Sequence, residues 1–223
     1  RDIFADPAVL PSFNSRAIGS QLHRIAGLAS RYLVINDDVL FNRAVTPYDF
    51  FTPEGLLKVI HSRSRRANLD PEKLSVLERA RHNSAQLIER DLGRRMTRLF
   101  AHGPIPQSLE MAREVADLYA AEIAQTLSHP FRSPDDYEVN AWLHLNRALL
   151  TGRALVTTLP FAYLDVGLAS TRAMMEDPVR TRRAFFMCVN DVQPDEAEEA
   201  SAWLADWLNR RFPVPTEYEL DGN

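Results

Sequence analysis

Residues 31–41, RYLVINDDVLF, set two adjacent carboxylates inside an apolar run. Tyr32, Leu33, Val34 and Ile35 have the β-branched and aromatic character of a strand. Asn36-Asp37-Asp38 ends it, and Val39-Leu40-Phe41 is apolar again. Carboxylates are costly to bury without compensation, so the chain must either turn there or use the charge. The pattern occurs twice: AFFMCVND, residues 184–191, reads as a strand ending on Asn190-Asp191. Two such strands in one sheet would bring both Asn-Asp ends to one edge. In open α/β sheets that edge faces the ligand crevice.

Helical patterns fill most of the remaining chain. Residues 15–29 carry Ile18, Leu22, Ile25 and Leu28 at helical spacing, with Ser15 as cap. Asp70-Pro71 opens a helix that runs to about Gly93. Leu109 to Leu127 reads as one long helix, and Ser133-Pro134-Asp135-Asp136 as a strong helix start leading to Leu150. Gly103, Pro104 and Pro106 make residues 100–107 a loop. A last helix starts near Pro194, with Ala200, Leu204, Trp207 and Leu208 inward. Residues 1–67 and 156–223 therefore form an α/β core, and residues 68–155 a mainly helical insertion. Two strands alone do not make a stable sheet, so further strands are expected upstream of Arg1. The chain looks like the interior of a longer protein.

Composition narrows the function classes. The 223 residues carry a net charge of −4, so the electrostatic footprint of a nucleic-acid binder is absent. The single cysteine, Cys188, lies in an apolar run and reads as a small buried hydrophobe, excluding a disulfide framework or zinc-cysteine site. No segment is long and apolar enough to span a membrane.

Strand alternation sends Asn36 and Asp38 to one side and Asp37 to the other. A carboxylate at that strand end suits Mg²⁺ or another hard divalent cation, or a proton taken from a hydroxyl; a plain turn satisfies the same spacing. His102, in AHGPIP, is fixed in a helix-free loop, as a general acid or base or a donor to a phosphate would be; a surface or a packed histidine fits the same place. Arg132 sits immediately before the predicted helix start at Ser133, where free amides, helix dipole and guanidinium would meet one phosphate; alternatively it is an exposed arginine. His23 and Arg24 follow the first helix and fit either ligand contacts or structural donors. Trp142, Trp203 and Trp207 read as core.

Taken together, these motifs resemble the Stealth proteins, a family of sugar-phosphate transferases. LPSFNSRAIGSQLHRIAGLASRYLVINDDVLF and PYDFFTPEG are similar to their second conserved region, AHGPIPQ and FRSPDD to the third, and FFMCVNDVQPDEAEEASAWLADWLNRRFPVPTEYEL to the fourth. The resemblance implies a Rossmann-like nucleotide-sugar transferase core, incomplete in this chain. It implies transfer of sugar-1-phosphate from a UDP-sugar type donor to a hydroxyl of an acceptor glycan, in capsule or exopolysaccharide synthesis. Asp38, His102 and Arg132 fall on the family's catalytic positions. Asn36, His23, Arg24, Asn190 and Asp191 would contact substrate, and Asp37 and Asp38 would hold the cation. The implied location is the bacterial cytoplasm, at or near the inner face of the membrane. The family's first conserved region is missing, and where it tends to place a glutamate, in a pattern like A-I-E-S, this chain has Gly19.

Overall fold

A computed structural model describes residues 2–65, 71–177, 181–190 and 197–215. The predicted first helix is cut short: α1 spans Ser15–Ser20 and is capped by the Asn14 side chain, which accepts from Arg16 N, rather than by Ser15. A 3-10 turn at Leu22–Arg24 follows. Arg16, Ala17 and Ser20 are the buried residues of α1, while Ile18 and Ile25 of the predicted apolar face are 37% and 41% exposed. Strand β1 (Arg31–Val34) precedes the N-D-D motif and β2 (Val39–Phe41) follows it. Helix α2 (Pro47–Phe50) opens on a capping box between Thr46 and Asp49. Strand β3 (Leu57–Arg65) comes next.

Helix α3 (Val76–Leu92) starts at a Ser75–Glu78 capping box and stops at Gly93, whose φ of 63° favours glycine. Strands β4 (Arg98–Phe100) and β5 (Ile105–Ser108) occupy the ends of the predicted loop. Pro106 is tolerated because β5 belongs to a two-stranded sheet and keeps an open edge. The predicted long helix is broken at Tyr119 (φ −116°, ψ 34°) into α4 (Leu109–Leu118) and α5 (Ala120–Leu127).

No helix starts at Ser133. Asp136 is drawn inside, and the next amides bond to other helices: Tyr137 N donates to Thr126 Oγ1 and Glu138 N to Ser84 Oγ. Helical structure begins with a π-turn at Val139–His144 and continues as α6 (Leu145–Leu150). Strands β6 (Ala154–Thr157) and β7 (Phe161–Asp165), helix α7 (Ala169–Met175), strand β8 (Phe186–Asn190) and helix α8 (Ala197–Arg211) complete the order.

The fold is mixed α/β with several small sheets. Contacts divide it into two compact units, Arg1–Asn36 with Val45–Leu159, and Asp37–Ala44 with Pro160–Asn223. The first unit contains the antiparallel pair β1–β5 and the sheet β4-β3-β6, with β3 antiparallel to β4 and parallel to β6. Its core includes Ile88, Val115, Tyr119 and Leu143, contributed by α3, α4, the α4–α5 break and the π-turn. The second unit is built on β2-β8-β7, with β7 and β8 parallel and β2 antiparallel to β8. Met187, Val189, Ala200 and Trp207 are buried there; Leu204 and Leu208 pack alongside, as their helical spacing predicts.

The two Asn-Asp runs do not end neighbouring strands of one sheet. Strand β1 pairs with β5, and β8 takes β2 as its neighbour instead. The reason is the turn at Asp37-Asp38, after which the chain enters a new strand.

Candidate active site

The second unit places Asp38 against the end of β8. Val189 N donates to the Asp38 carbonyl at 2.7 Å. The Asp38 carboxylate oxygen Oδ2 accepts from Asn190 Nδ2 at 2.8 Å and from the Cys188 thiol at 3.3 Å. Cys188 and Asn190 lie two apart on β8 and so share a face of the sheet. Burial pushes the Cys188 thiol up to about 12, and the neighbouring Asp38 carboxylate adds to the shift. The thiol therefore stays protonated and serves Asp38 as a donor, more than the small hydrophobe its sequence suggests. Tyr163 stands across from Cys188 in the register. Its phenol is also shifted upward, first by burial and then by the nearby Asp38 carboxylate. Sequence reasoning missed Cys188 and Tyr163; the alternation of Cys188 with Asn190 was the signal available for the former. Asp37 is exposed. Asp191 lies outside the described residues.

The buried thiol gives a direct check. With its ionisation near 12, only on the order of one thiol in 10⁴ is thiolate at pH 8, and the thiolate is the reactive form. Iodoacetamide at pH 8 is expected to leave Cys188 unmodified in the folded chain and to label it fully in denaturant. Rapid labelling of the native protein, followed by mass spectrometry, would contradict the placement.

In the first unit, Asn36 Nδ2 lies 3.3 Å from His102 Nε2. With the amide as donor, Nε2 is the unprotonated ring nitrogen, the form a base requires. His102 is exposed, on the segment between β4 and β5. Strand pairing explains the meeting, because Val34 is registered with Ile105 and carries Asn36 toward His102.

Arg132 occupies a different local setting from the predicted helix start. Its Nε and Nη2 donate to Ser15 Oγ at 3.2 and 2.9 Å. The loop beneath it is organised by Asp136, whose side chain is fully buried. Asp136 accepts from Asn14 Nδ2, Ser133 N and Arg16 Nη1, and pairs with His129 Nδ1. Nothing in FRSPDD distinguishes this buried acid from a first-turn acid of a helix. His23 is half-buried in the 3-10 turn and its imidazole is pushed down, chiefly by burial; Arg24 is exposed.

An open depression of about 870 Å³ in the first unit is bounded by Glu110, Arg113, Glu114, Asp117 and Arg147, none of them a predicted site residue. Some of its charges are satisfied within the protein. Arg153, followed by Arg147, holds the Glu114 carboxyl down to about 2.

Comparison with known proteins matches conserved region 2 of Stealth proteins to residues 1–59, conserved region 3 to residues 101–144 and conserved region 4 to residues 177–223. The chain is 33% identical to an exopolysaccharide phosphotransferase of Streptomyces coelicolor, over 98% of this chain and 38% of that protein. An exopolysaccharide phosphotransferase of Nocardia farcinica is 36% identical, over 98% of this chain and 44% of that protein. The exopolysaccharide phosphotransferase CpsY of Mycobacterium leprae is 32% identical, over 98% and 41%. The chain thus spans well under half the length of these relatives.

Proposed function

The chain belongs to the Stealth family, and from that premise we propose that it takes part in sugar-1-phosphate transfer to an acceptor glycan during exopolysaccharide or capsule synthesis. A nucleotide sugar of the UDP type is the donor, a hydroxyl of the acceptor attacks, and a phosphodiester forms as nucleoside monophosphate leaves. The observation that carries this reading is the similarity to named exopolysaccharide phosphotransferases along 98% of the chain. We read the parallel β7–β8 pair as part of a Rossmann-like nucleotide-sugar core, and the working location as the bacterial cytoplasm, at the inner face of the membrane.

Phosphoryl transfer asks a protein for in-line positioning, charge neutralisation and a base. His102 supplies the base: its Nε2, which lies 3.3 Å from Asn36 Nδ2, accepts the proton of the attacking hydroxyl. Asp38 is the site carboxylate, held in one orientation by Asn190 and Cys188. Arg132 binds a donor phosphate through its planar fork. Asn36, Asn190, Asp191, His23 and Arg24 contact substrate.

A divalent cation such as Mg²⁺ fits the donor chemistry of the second unit. Asp37 and Asp38 offer carboxylate oxygens, and Asn190, already on Asp38, offers an amide oxygen, the hard ligands Mg²⁺ takes. Bound there, the ion would neutralise phosphate charge on the donor.

The test is to incubate the protein with UDP-N-acetylglucosamine and an acceptor oligosaccharide and to identify the released nucleotide. UMP is the expected product. UDP would mark a metal-dependent glycosyltransferase instead. A second reading, a domain that binds donor or glycan without turnover, is favoured by Gly19. A Cβ there would lie 2.6 Å from Asn140 Nδ2, so a neighbouring side chain already occupies the space where a glutamate would begin. Donor binding without nucleotide release would establish that reading.

A further inference from the structure

Two phenyl rings stand in solvent on a loop that is otherwise pinned. Phe13 and Phe131 are 66% and 64% exposed. Their rings stack, with centroids 5.3 Å apart and planes 14° from parallel. The backbone beneath is held from both sides. Phe13 N donates to Pro130 O at 2.7 Å, and Asn14 Nδ2 donates to the carbonyls of His129 and Phe131 and to buried Asp136. A slack surface loop would let two large apolar rings fold back out of water. This loop holds them outward, as a binding surface does.

A guanidinium lies beside them. Arg132 follows Phe131 in the chain, and Ser15 fixes it through Nε and Nη2. No carboxylate among the described residues pairs with it. Its charge is positioned and exposed, and among the described residues it is uncompensated. Stacked rings and an unpaired guanidinium recognise different parts of one ligand: a flat apolar face, and an anion attached to it.

We propose that the Phe13–Phe131 stack is a binding platform for a ring that carries a phosphate, with the ring extending the stack and the phosphate meeting Arg132. The choice of ligand rests on the sugar-phosphate transfer reading above, which it deepens by naming where the donor's ring is read. A ring joined to phosphate occurs at both ends of a nucleotide sugar, as a nucleoside monophosphate and as a sugar-1-phosphate.

The test is a ¹H NMR titration of the 223-residue chain with UMP, with N-acetylglucosamine 1-phosphate and with inorganic phosphate. It reads saturation transfer to the ligand ring protons and their upfield shift. Phe13→Leu and Phe131→Leu each remove one aromatic face and the double variant removes both, whereas Phe131→Tyr keeps both. The leucine variants are expected to bind one or both ring ligands roughly 5- to 150-fold more weakly. The tyrosine variant and the affinity for inorganic phosphate are expected to stay unchanged. A loss confined to UMP assigns the nucleoside end, and a loss confined to the sugar phosphate assigns the sugar end. Equal affinity of wild type and double variant for both ring ligands would overturn the platform. So would a wild type that binds neither ligand at millimolar concentration, or an equal fall for inorganic phosphate, which would mean the loop had collapsed. Ring-dependent binding in a protein that never releases UMP leaves the platform standing and removes the transferase reading. Transfer with unchanged KM in the leucine variants does the reverse.

Discussion

Replacing His102 by alanine is expected to lower sugar-phosphate transfer by about 10²–10⁴-fold, the usual contribution of a positioned general base, with little change in thermal midpoint. The asymmetry follows from its setting. His102 is exposed, so its removal opens no cavity, and its bond to Asn36 is a surface one. What disappears is the nitrogen proposed above to take the proton of the attacking hydroxyl. The measurement is UMP release under donor saturation, paired with a thermal melt of each protein. Asn36→Ala should act in the same direction and more weakly, because it frees the ring without deleting the base. Turnover within a few-fold of wild type for His102→Ala would remove it from the chemistry. A large drop in midpoint would make its role structural.

The largest effect on stability is expected at Asp136, where Asp136→Ala should cost about 3–5 kcal/mol. The carboxylate is wholly buried and serves four groups on two distant segments. Its removal strands the Arg16 guanidinium, whose side chain is only 3% exposed and whose other carboxylate, Glu138, is farther away at 3.7 Å. It also leaves the Ser133 amide without its acceptor. For a chain of this size each kcal/mol moves the midpoint by about 2–4 °C, so a fall of roughly 10 °C is expected in a thermal melt. The paired change Arg16→Met with Asp136→Leu should recover part of that loss, since it deletes both charges together. A midpoint unchanged by Asp136→Ala would mean that the network carries little of the fold. The same substitution should release Phe131 and Arg132 from their fixed positions, because Asp136 anchors the loop that presents them.

Much of the local structure was legible because it depends on neighbours in sequence. Gly93 closes α3 as a left-handed cap, and the apolar run Phe186–Val189 is a buried strand. Family membership was legible for a related reason: motifs in a fixed order survive translation into any fold. Errors arose wherever a residue far along the chain outbid a local preference. Ser133 to Asp136 have the signature of a helix start, yet Asn14 and Arg16 take the carboxylate and Ser84 and Thr126 take the amides. The apolar stripe of residues 15–29 predicts a long helix, yet Arg16 is buried against Asp136 while Ile18 and Ile25 of that stripe are exposed.

The opening motif shows the same division. From Asn36-Asp37-Asp38 alone, a turn and a functional carboxylate are both readable, because each needs short polar side chains after a strand. Sequence by itself determined that the apolar run must stop there, since unpaired charge cannot continue into a core. It also determined, through alternation, that Cys188 and Asn190 share one face of their strand. Only the tertiary structure decided that β2, and not β1, lies beside that strand, so that Asp38 receives the Asn190 amide and the Cys188 thiol. Strand partners are chosen by the packing of whole faces and by where distant chain segments can reach. That information is spread across residues some 150 positions apart, and no local pattern contains it.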